Sequence, residues 1–296
     1  KLSVQVTARA TPICKAIAKI VHDNLNRLYD ISASCHLSPL GCIMKPTVRI
    51  ATARTPDGGK MVLYQHGRDF SIKINGQDLM HSRQHESEME LARLGCAHLA
   101  GRKEPCILIG GLGMGYTLRQ ALDMLSPHAQ VVVGELLGAV VEWNREFFGE
   151  LNGRPLGDER VDVKTGDIVN LISRSKGRFD AILLDVDNGP SAMTDSGNRR
   201  LYGRKGIQAC RRALRKQGCL AVWSAEPSKK FEQLLMRCSF HVRRFRASAY
   251  KGSKSQSRFV WVASEDKIIL PPGGGEPRLP LKSEPKGSYR RPRKRR

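Results

Sequence analysis

Four glycines crowd into six positions of CILIGGLGMGYTLRQAL (Cys106–Leu122), at Gly110, Gly111, Gly113 and Gly115. The stretch leaves an apolar run and enters a helical one, which places the glycines in a strand-to-helix turn. A tight turn needs one glycine and close packing a second; four indicate that something lies against the main chain. Carboxylates follow at the ends of later apolar runs. Glu135 closes VVVGE twenty positions after Gly115, Asp167 closes KTGD, and Asp185 follows ILL in ILLDVDNGP. A carboxylate ending the second strand can accept from both hydroxyls of a ribose. Asp167 can accept from an adenine amino group, and Asp185 would stand over a reacting centre. The residues therefore read as a pocket for an adenosine-containing ligand, although Gly111-x-Gly113-x-Gly115 is not the G-x-G-x-x-G spacing. A plainer role is open to each acid, because Asp and Glu also suit helix N-termini. Asp167 is the one most readily explained that way.

For these residues to meet, the chain must bring several strand ends together. Strands are expected at Cys106–Ile109, Gln130–Leu136, Val161–Thr165, Phe179–Val186 and Cys219–Ser224. Helical patterns alternate with them near Tyr116–Leu125, Ala139–Phe148, Ile168–Ser173 and Arg204–Leu214. A helix near Lys229–Cys238 precedes a last pair of strands, His241–Tyr250 and Arg258–Ala263. Such alternation predicts a doubly wound α/β domain, a mostly parallel sheet with helices on both faces, and ligands bind beyond the carboxyl ends of its strands. Upstream, Thr47 to Met80 alternates apolar and polar residues around the turns TPDGG and NG, which predicts a small N-terminal β-meander. A helix follows over His85–Ala100, with Glu88 on it.

Composition bounds the rest. The net charge is +22 over 296 residues, and the stretch from Lys267 to Arg296 carries ten basic and two acidic side chains. Rich in proline and glycine and ending YRRPRKRR, it reads as a disordered basic tail that attracts a polyanion such as RNA. Residues 1–43 resemble nothing downstream and read as a poorly packed appendage. The expected organisation is thus 1–43 appendage, 44–84 β-domain, 85–266 nucleoside-binding α/β domain and 267–296 tail. No apolar run reaches membrane length and no secretion signal is evident. Eight cysteines without a C-x-x-C pair fit free thiols in a cytoplasmic protein. His81 and His85, four apart and beside Glu86 and Glu88, have metal-like spacing, but no third ligand cluster accompanies them and no metal is expected. Trp143 reads as a core residue of its helix.

From Val48 to Ala263 the sequence resembles the spermidine synthase family, a branch of the S-adenosylmethionine-dependent transferase fold. The resemblance rests on ILIGGLGMGYTLRQAL, VVVGELLGAVVEWNR, LGDERVDVKTGD, FDAILLDVDNGP and LYGRKGIQACRRALRKQGCLAVWS. It implies a donor pocket lined by Gly111, Gly113 and Gly115, with Glu135 on the ribose, Asp167 on the adenine and Asp185 at the acceptor amine. Asp187 joins Asp185 as a catalytic candidate, and Glu88 and Asn188 are candidates for binding substrate. The implied co-substrate is S-adenosylmethionine or its decarboxylated form. Several of the family's amine-binding positions differ. Leu112 stands where the family carries an aspartate that holds the aminopropyl ammonium. Asp187 is displaced by one position, Gly206–Ile207 replaces a tyrosine, and Trp223 replaces a glutamine.

Three functions remain open at this point. The first is a spermidine synthase-like transferase with an amine acceptor; the second is a methyltransferase acting on a small molecule or RNA. The third is a non-catalytic nucleoside- or polyanion-binding protein. Monomer and homodimer are equally open.

Overall fold

The computed structural model describes residues 45–186, 189–192, 200–250, 252 and 257–278. The expected appendage, and the candidates Asp187 and Asn188, lie outside the described residues. Strands β1 (Thr47–Arg54), β2 (Lys60–His66), β3 (Asp69–Ile74) and β4 (Gln77–His81) form a four-stranded antiparallel meander in chain order. Between β3 and β4, Asn75 and Gly76 both take positive φ (51° and 83°), the requirement of a two-residue type I′ hairpin.

Helix α1 (Glu86–Cys96) leads into the α/β unit. Its elements are β5 (Cys106–Gly110), α2 (Tyr116–Met124), β6 (Gln130–Glu135), α3 (Gly138–Glu146), the short α4 (Gly149–Asn152), β7 (Val161–Thr165), α5 (Ile168–Ser173), β8 (Phe179–Leu184), α6 (Arg204–Ala213), β9 (Leu214–Ser224), α7 (Lys229–Arg237), β10 (His241–Ser248) and β11 (Ser257–Ser264). The sheet order is β10-β11-β9-β8-β5-β6-β7. Strands β5 to β9 pair in parallel, and β11 and β10 close one side antiparallel. The doubly wound fold with a β-meander is the architecture expected.

CILIG and FDAILL are buried at every position, as strands covered on both faces must be. Alternate residues supply two cores. Ile107, Ile109, Val131, Val133 and Leu183 face α1, α2, α3 and the meander residues Met61, Leu63, Phe70 and Ile72. Leu108, Val132, Ile182 and Leu184 face α5, α6 and α7. Phe70 of β3 meets Phe148 edge to face at 5.3 Å, so the meander shares the first of these cores. Trp143 is buried in it, as expected.

Three of the boundaries that differ from expectation have clear physical reasons. Strand β8 stops at Leu184, because after the Asp185 N–H donates to the Gly110 carbonyl (2.8 Å) the chain turns away. Strand β9 starts at Leu214 instead of Cys219. Its polar opening RKQG is accommodated by an irregular register against β8, which periodicity does not reveal. The expected tail is also packed over its first part. A 3₁₀ turn at Lys267–Ile269 delivers Leu270 into the core, the Arg243 guanidinium donates to the Pro271 carbonyl (2.6 Å), and Gly275 bridges to Arg244. Residues 267–278 therefore belong to the folded unit.

Leu270→Ala should then destabilise the protein by about 2–3 kcal/mol, the usual cost of emptying a buried leucine site. A urea titration measures it. A change under 0.5 kcal/mol, as for an exposed tail, would contradict this packing.

Candidate active site

The carboxyl ends of β5 to β9 open into a cavity of about 340 Å³, completed by α1 and β4. Glu88, Gly111, Gly113, Glu135, Asp167 and Asp185 all line it. Of the described candidates only Gly115 stays out of the wall. The structure thus brings together residues separated by nearly a hundred positions.

The glycines have specific reasons, and not all concern a ligand. Gly111 has φ +88°, and a Cβ there would overlap the Asp185 carbonyl oxygen. Gly115 has φ +82°, and a Cβ would lie 2.6 Å from Asn152 Nδ2 and 2.9 Å from Asn144 Oδ1. Only Gly113, φ +53°, faces open space, with Met80 Sδ 3.9 Å from the place of its Cβ. Two of the three candidate glycines are therefore demanded by the chain itself, and one leaves room for a ligand.

Buried amides hold this loop. Asn144 donates to the Gly113 carbonyl (2.8 Å) and Asn152 to the Met114 carbonyl (2.6 Å). Sequence reasoning missed both, though an asparagine beside Trp143 on a core-facing helix is a signal, since buried amides need partners. Glu135 Oε2 accepts from the Leu112 N–H and Oε1 from the Leu137 N–H, both at 2.8 Å. It ties the glycine loop to the start of α3, a structural duty beside the expected ribose contact. Asp167 caps α5, accepting from Val169 N–H (2.8 Å), and pairs through its other oxygen with Arg200 (3.1 Å). Its plainer role is thus realised, at a position that still lines the cavity. The Leu112 side chain is buried in the first core and does not line the cavity.

Asp185 and Glu88 form the reactive-looking part. Thr117 Oγ1 lies 3.1 Å from Asp185 Oδ2 and 3.2 Å from the Glu88 carbonyl oxygen, so one hydroxyl on α2 links β8 to α1. Burial pushes the Asp185 carboxyl up to about 6, against the opposing pull of the Thr117 hydroxyl. Burial, then the charge of Asp185, pushes Glu88 well above the ordinary carboxylate range. Two acids that share a site cannot both ionise cheaply, and such a pair suits proton transfer near neutrality. Leu79, Met80, Val186 and Leu201 add apolar wall that sequence reasoning did not assign to the site, and Trp223, which the resemblance sets at an amine-binding position, joins them. Among the described residues no group of three His, Cys, Asp or Glu side chains could hold a metal, and no helix is long and apolar enough to cross a membrane.

Comparison with known proteins agrees with this fold. The spermine/spermidine synthase domain model matches residues 86–241, more than half of the chain. A polyamine aminopropyltransferase of Saccharolobus islandicus is 28% identical over 126 residues, 43% of this chain and 40% of that protein. One from Bacillus mycoides is 34% identical over 79 residues, 27% of this chain and 28% of its own length. The matched part is thus about two fifths or less of the length of these relatives. Among solved structures, spermidine synthase from Thermotoga maritima superposes with a TM-score of 0.60 at 18% identity, over 76% of each chain. A spermidine synthase bound to the transition state analogue AdoDATO gives 0.59 at 18% identity, again over 76% of each.

The raised carboxyls set the pH dependence of stability. Asp185 titrates near 4 in the unfolded chain and near 6 in the folded one. Its contribution is fully present below about pH 4 and lost as pH rises through about 6, and Glu88 acts in the same direction. Ligand-free protein should lose about 2–3 kcal/mol from Asp185 between pH 4 and 8, with Glu88 adding to that loss. Denaturant titrations should show a shallower loss for Asp185→Asn. An identical slope in the variant would remove the pair as its source.

Proposed function

Because the chain belongs to the spermine/spermidine synthase family, we propose that it transfers an alkyl group from an adenosyl sulfonium donor to an amine. The observation that carries this reading is the Glu88–Asp185 pair in one cavity with Gly113, Glu135 and Asp167. The β6–β7 side suits the nucleoside. Glu135 meets the ribose hydroxyls, Asp167 stands at the adenine edge, and Leu137, Val140, Ile168 and Val169 supply apolar wall. The carbon beside a sulfonium is already electrophilic, so the protein's task is alignment and removal of a proton. The amine lone pair attacks that carbon, the C–S bond breaks with its electrons to sulfur, and a neutral thioether leaves. The proton displaced from nitrogen passes to Asp185, whose raised pKa suits it as acceptor near neutral pH.

The donor's alkyl arm remains the finer question. A donor with an aminopropyl arm carries an ammonium, and Leu112 offers no charge to pair with it. Discrimination between S-adenosylmethionine and its decarboxylated form should therefore be weak, and methyl transfer is the second reading that Leu112 favours.

Calorimetric titration with methylthioadenosine and both donors tests the proposal. Methylthioadenosine should bind, and its 2′-deoxy analogue should bind about tenfold more weakly for want of a charge-assisted hydrogen bond to Glu135. The two donors should differ by less than a hundredfold, about 2.7 kcal/mol. Absence of methylthioadenosine binding sinks the nucleoside reading; a preference above a hundredfold for the decarboxylated donor removes Leu112 as the deciding side chain.

A further inference from the structure

The amino ends of the parallel strands form a second surface, at the end of the sheet opposite the cavity. Asp180, the second residue of β8, is fully buried there and gathers cations from distant parts of the chain. It pairs with Arg102 of the α1–β5 connection and with Arg215 of β9 (2.6 Å), and it accepts from the Cys106 N–H (2.8 Å). One guanidinium would balance its charge; the second leaves the cluster positive. Both arginines reach Asp180 through Nη1, and their side chains are 40% and 44% exposed. Each is thus held in place while presenting further N–H donors to solvent. Main-chain bonds bring more cations to the same end. The Gly177 and Arg178 N–H groups donate to the Arg212 and Ala213 carbonyls, both at 2.8 Å. Lys176 and Arg178 therefore lie beside Arg212 and Lys216, and all four are exposed. Helix dipoles account for a cation in the last turn of a helix, as with Arg212. Arg178, Arg215 and Lys216 belong instead to the starts of β8 and β9. An open groove of about 1040 Å³ carries the surface from Arg102 past Arg215 and Lys216 to Lys267. Two acids line it among the described residues. Glu265 is paired with Arg211 (2.5 Å), and Asp266 caps the turn at Lys267–Ile269. The chain then returns to this end. The antiparallel bridge of Gly275 to Arg244 directs the next residues toward the start of β10, where Glu276 reaches Arg243 (3.6 Å) and Lys267 (3.2 Å). Beyond Arg278 the sequence holds eight basic side chains and one acidic.

We propose that this surface binds the phosphate backbone of a nucleic-acid duplex, and that the sequence beyond Arg278 adds to the same contact. The inference stands apart from the amine-transfer reading. Guanidinium forks match phosphate geometry, and two of them are fixed here by a buried carboxylate. The five strands from β5 to β10 span about 19 Å across the sheet. A duplex carries one charge per about 1.7 Å of axis, so about 11 charges face or flank that span, twice what one strand offers. A groove receives the ridge of a duplex backbone, where a flat bilayer would meet only its rim. Asp180 and Asp185 stand at opposite ends of β8, about 17 Å apart at the rise of a strand. A duplex held at Asp180 therefore leaves the cavity open and is a partner, not the substrate.

The test titrates the full chain into a fluorescein-labelled DNA duplex of mixed sequence and reads fluorescence anisotropy. With about four phosphates neutralised, affinity should fall roughly a hundredfold as salt rises from about 50 to about 200 mM. The single strand of the same sequence should bind more weakly. Reversing charge on the surface, K176E/R212E/K216E, should weaken duplex binding about tenfold or more. R49E/R54E/K60E on the meander changes the net charge equally and should weaken it by less than about threefold. The neutral triple K176Q/R212Q/K216Q should also weaken binding, and it keeps the test if the reversal prevents folding. Unchanged affinity in both surface triples assigns the binding to the chain beyond Arg278 and overturns the inference. Equal losses from the two reversals make the attraction diffuse and overturn it too. Tighter binding of the single strand, or binding of phosphatidylglycerol vesicles without binding of the duplex, names another partner and overturns it. So does a failure to bind the duplex at the lowest salt.

Discussion

The carbonyl group of Asp185 occupies the space in which a side chain at residue 111 would lie, while the Asp185 N–H donates to the Gly110 carbonyl. This approach of two strand ends, possible only with hydrogen at Cα and φ at +88°, is what the site is built on. It sets the Asp185 side chain beside the glycine loop. From there Thr117 carries the link to α1 and so to Glu88, and Glu135 carries it through Leu112 and Leu137 to α3. The buried amides of Asn144 and Asn152 fix the loop from behind. Three strands and four helices thus meet through a few hydrogen bonds, costly to leave unmade where they are buried.

That rigidity bears on charge. Carboxylates on mobile loops would turn toward solvent and recover ordinary acidity. Asp185 and Glu88 cannot, because one follows a core strand and the other sits on a helix packed into the first core. Their raised proton affinities are therefore a product of the fold, stored as instability above neutrality and released when a cation enters. Stability and ligand binding are linked through the same two protons.

Much of this was legible in the sequence, for definite reasons. Parallel strands buried on both faces leave uninterrupted apolar runs, and helices between them leave a different period, so the α/β order could be read directly. Glu135 and Asp185 were legible because each terminates such a run, and Asp167 because it follows the alternating strand VDVKT. Less legible was what else those residues do. That Gly111 and Gly115 make way for Asp185, Asn144 and Asn152 is a fact about contacts distant in sequence. That Asp167 caps a helix while facing the cavity requires knowing where its side chain points. Strand β9 was shortened in expectation because RKQG has no apolar period. The packing of the segment after residue 266 is hidden in the sequence because proline, glycine and charge conceal a single anchoring leucine. Met80 carried no signal as a site residue, since an apolar side chain in a cavity wall looks like core until the cavity is seen.

The packed segment after residue 266 has a meaning beyond its own contribution to folding. Strand β10 is the edge of the seven-stranded sheet, eight residues long, with a full row of main-chain groups on its outer side. An edge of that length invites another chain to add a strand. The bridge between Arg244 and Gly275 occupies it in the middle, and Arg243, Arg244 and Arg246 put charge along it. Gly274, with φ +71°, lets the segment close against Arg244, where a Cβ would come within 2.9 Å of the Arg244 carbonyl oxygen. These few residues act as a guard against edge-to-edge polymerisation, and a chain cut short before them would expose a template for aggregation even where its cavity stayed whole.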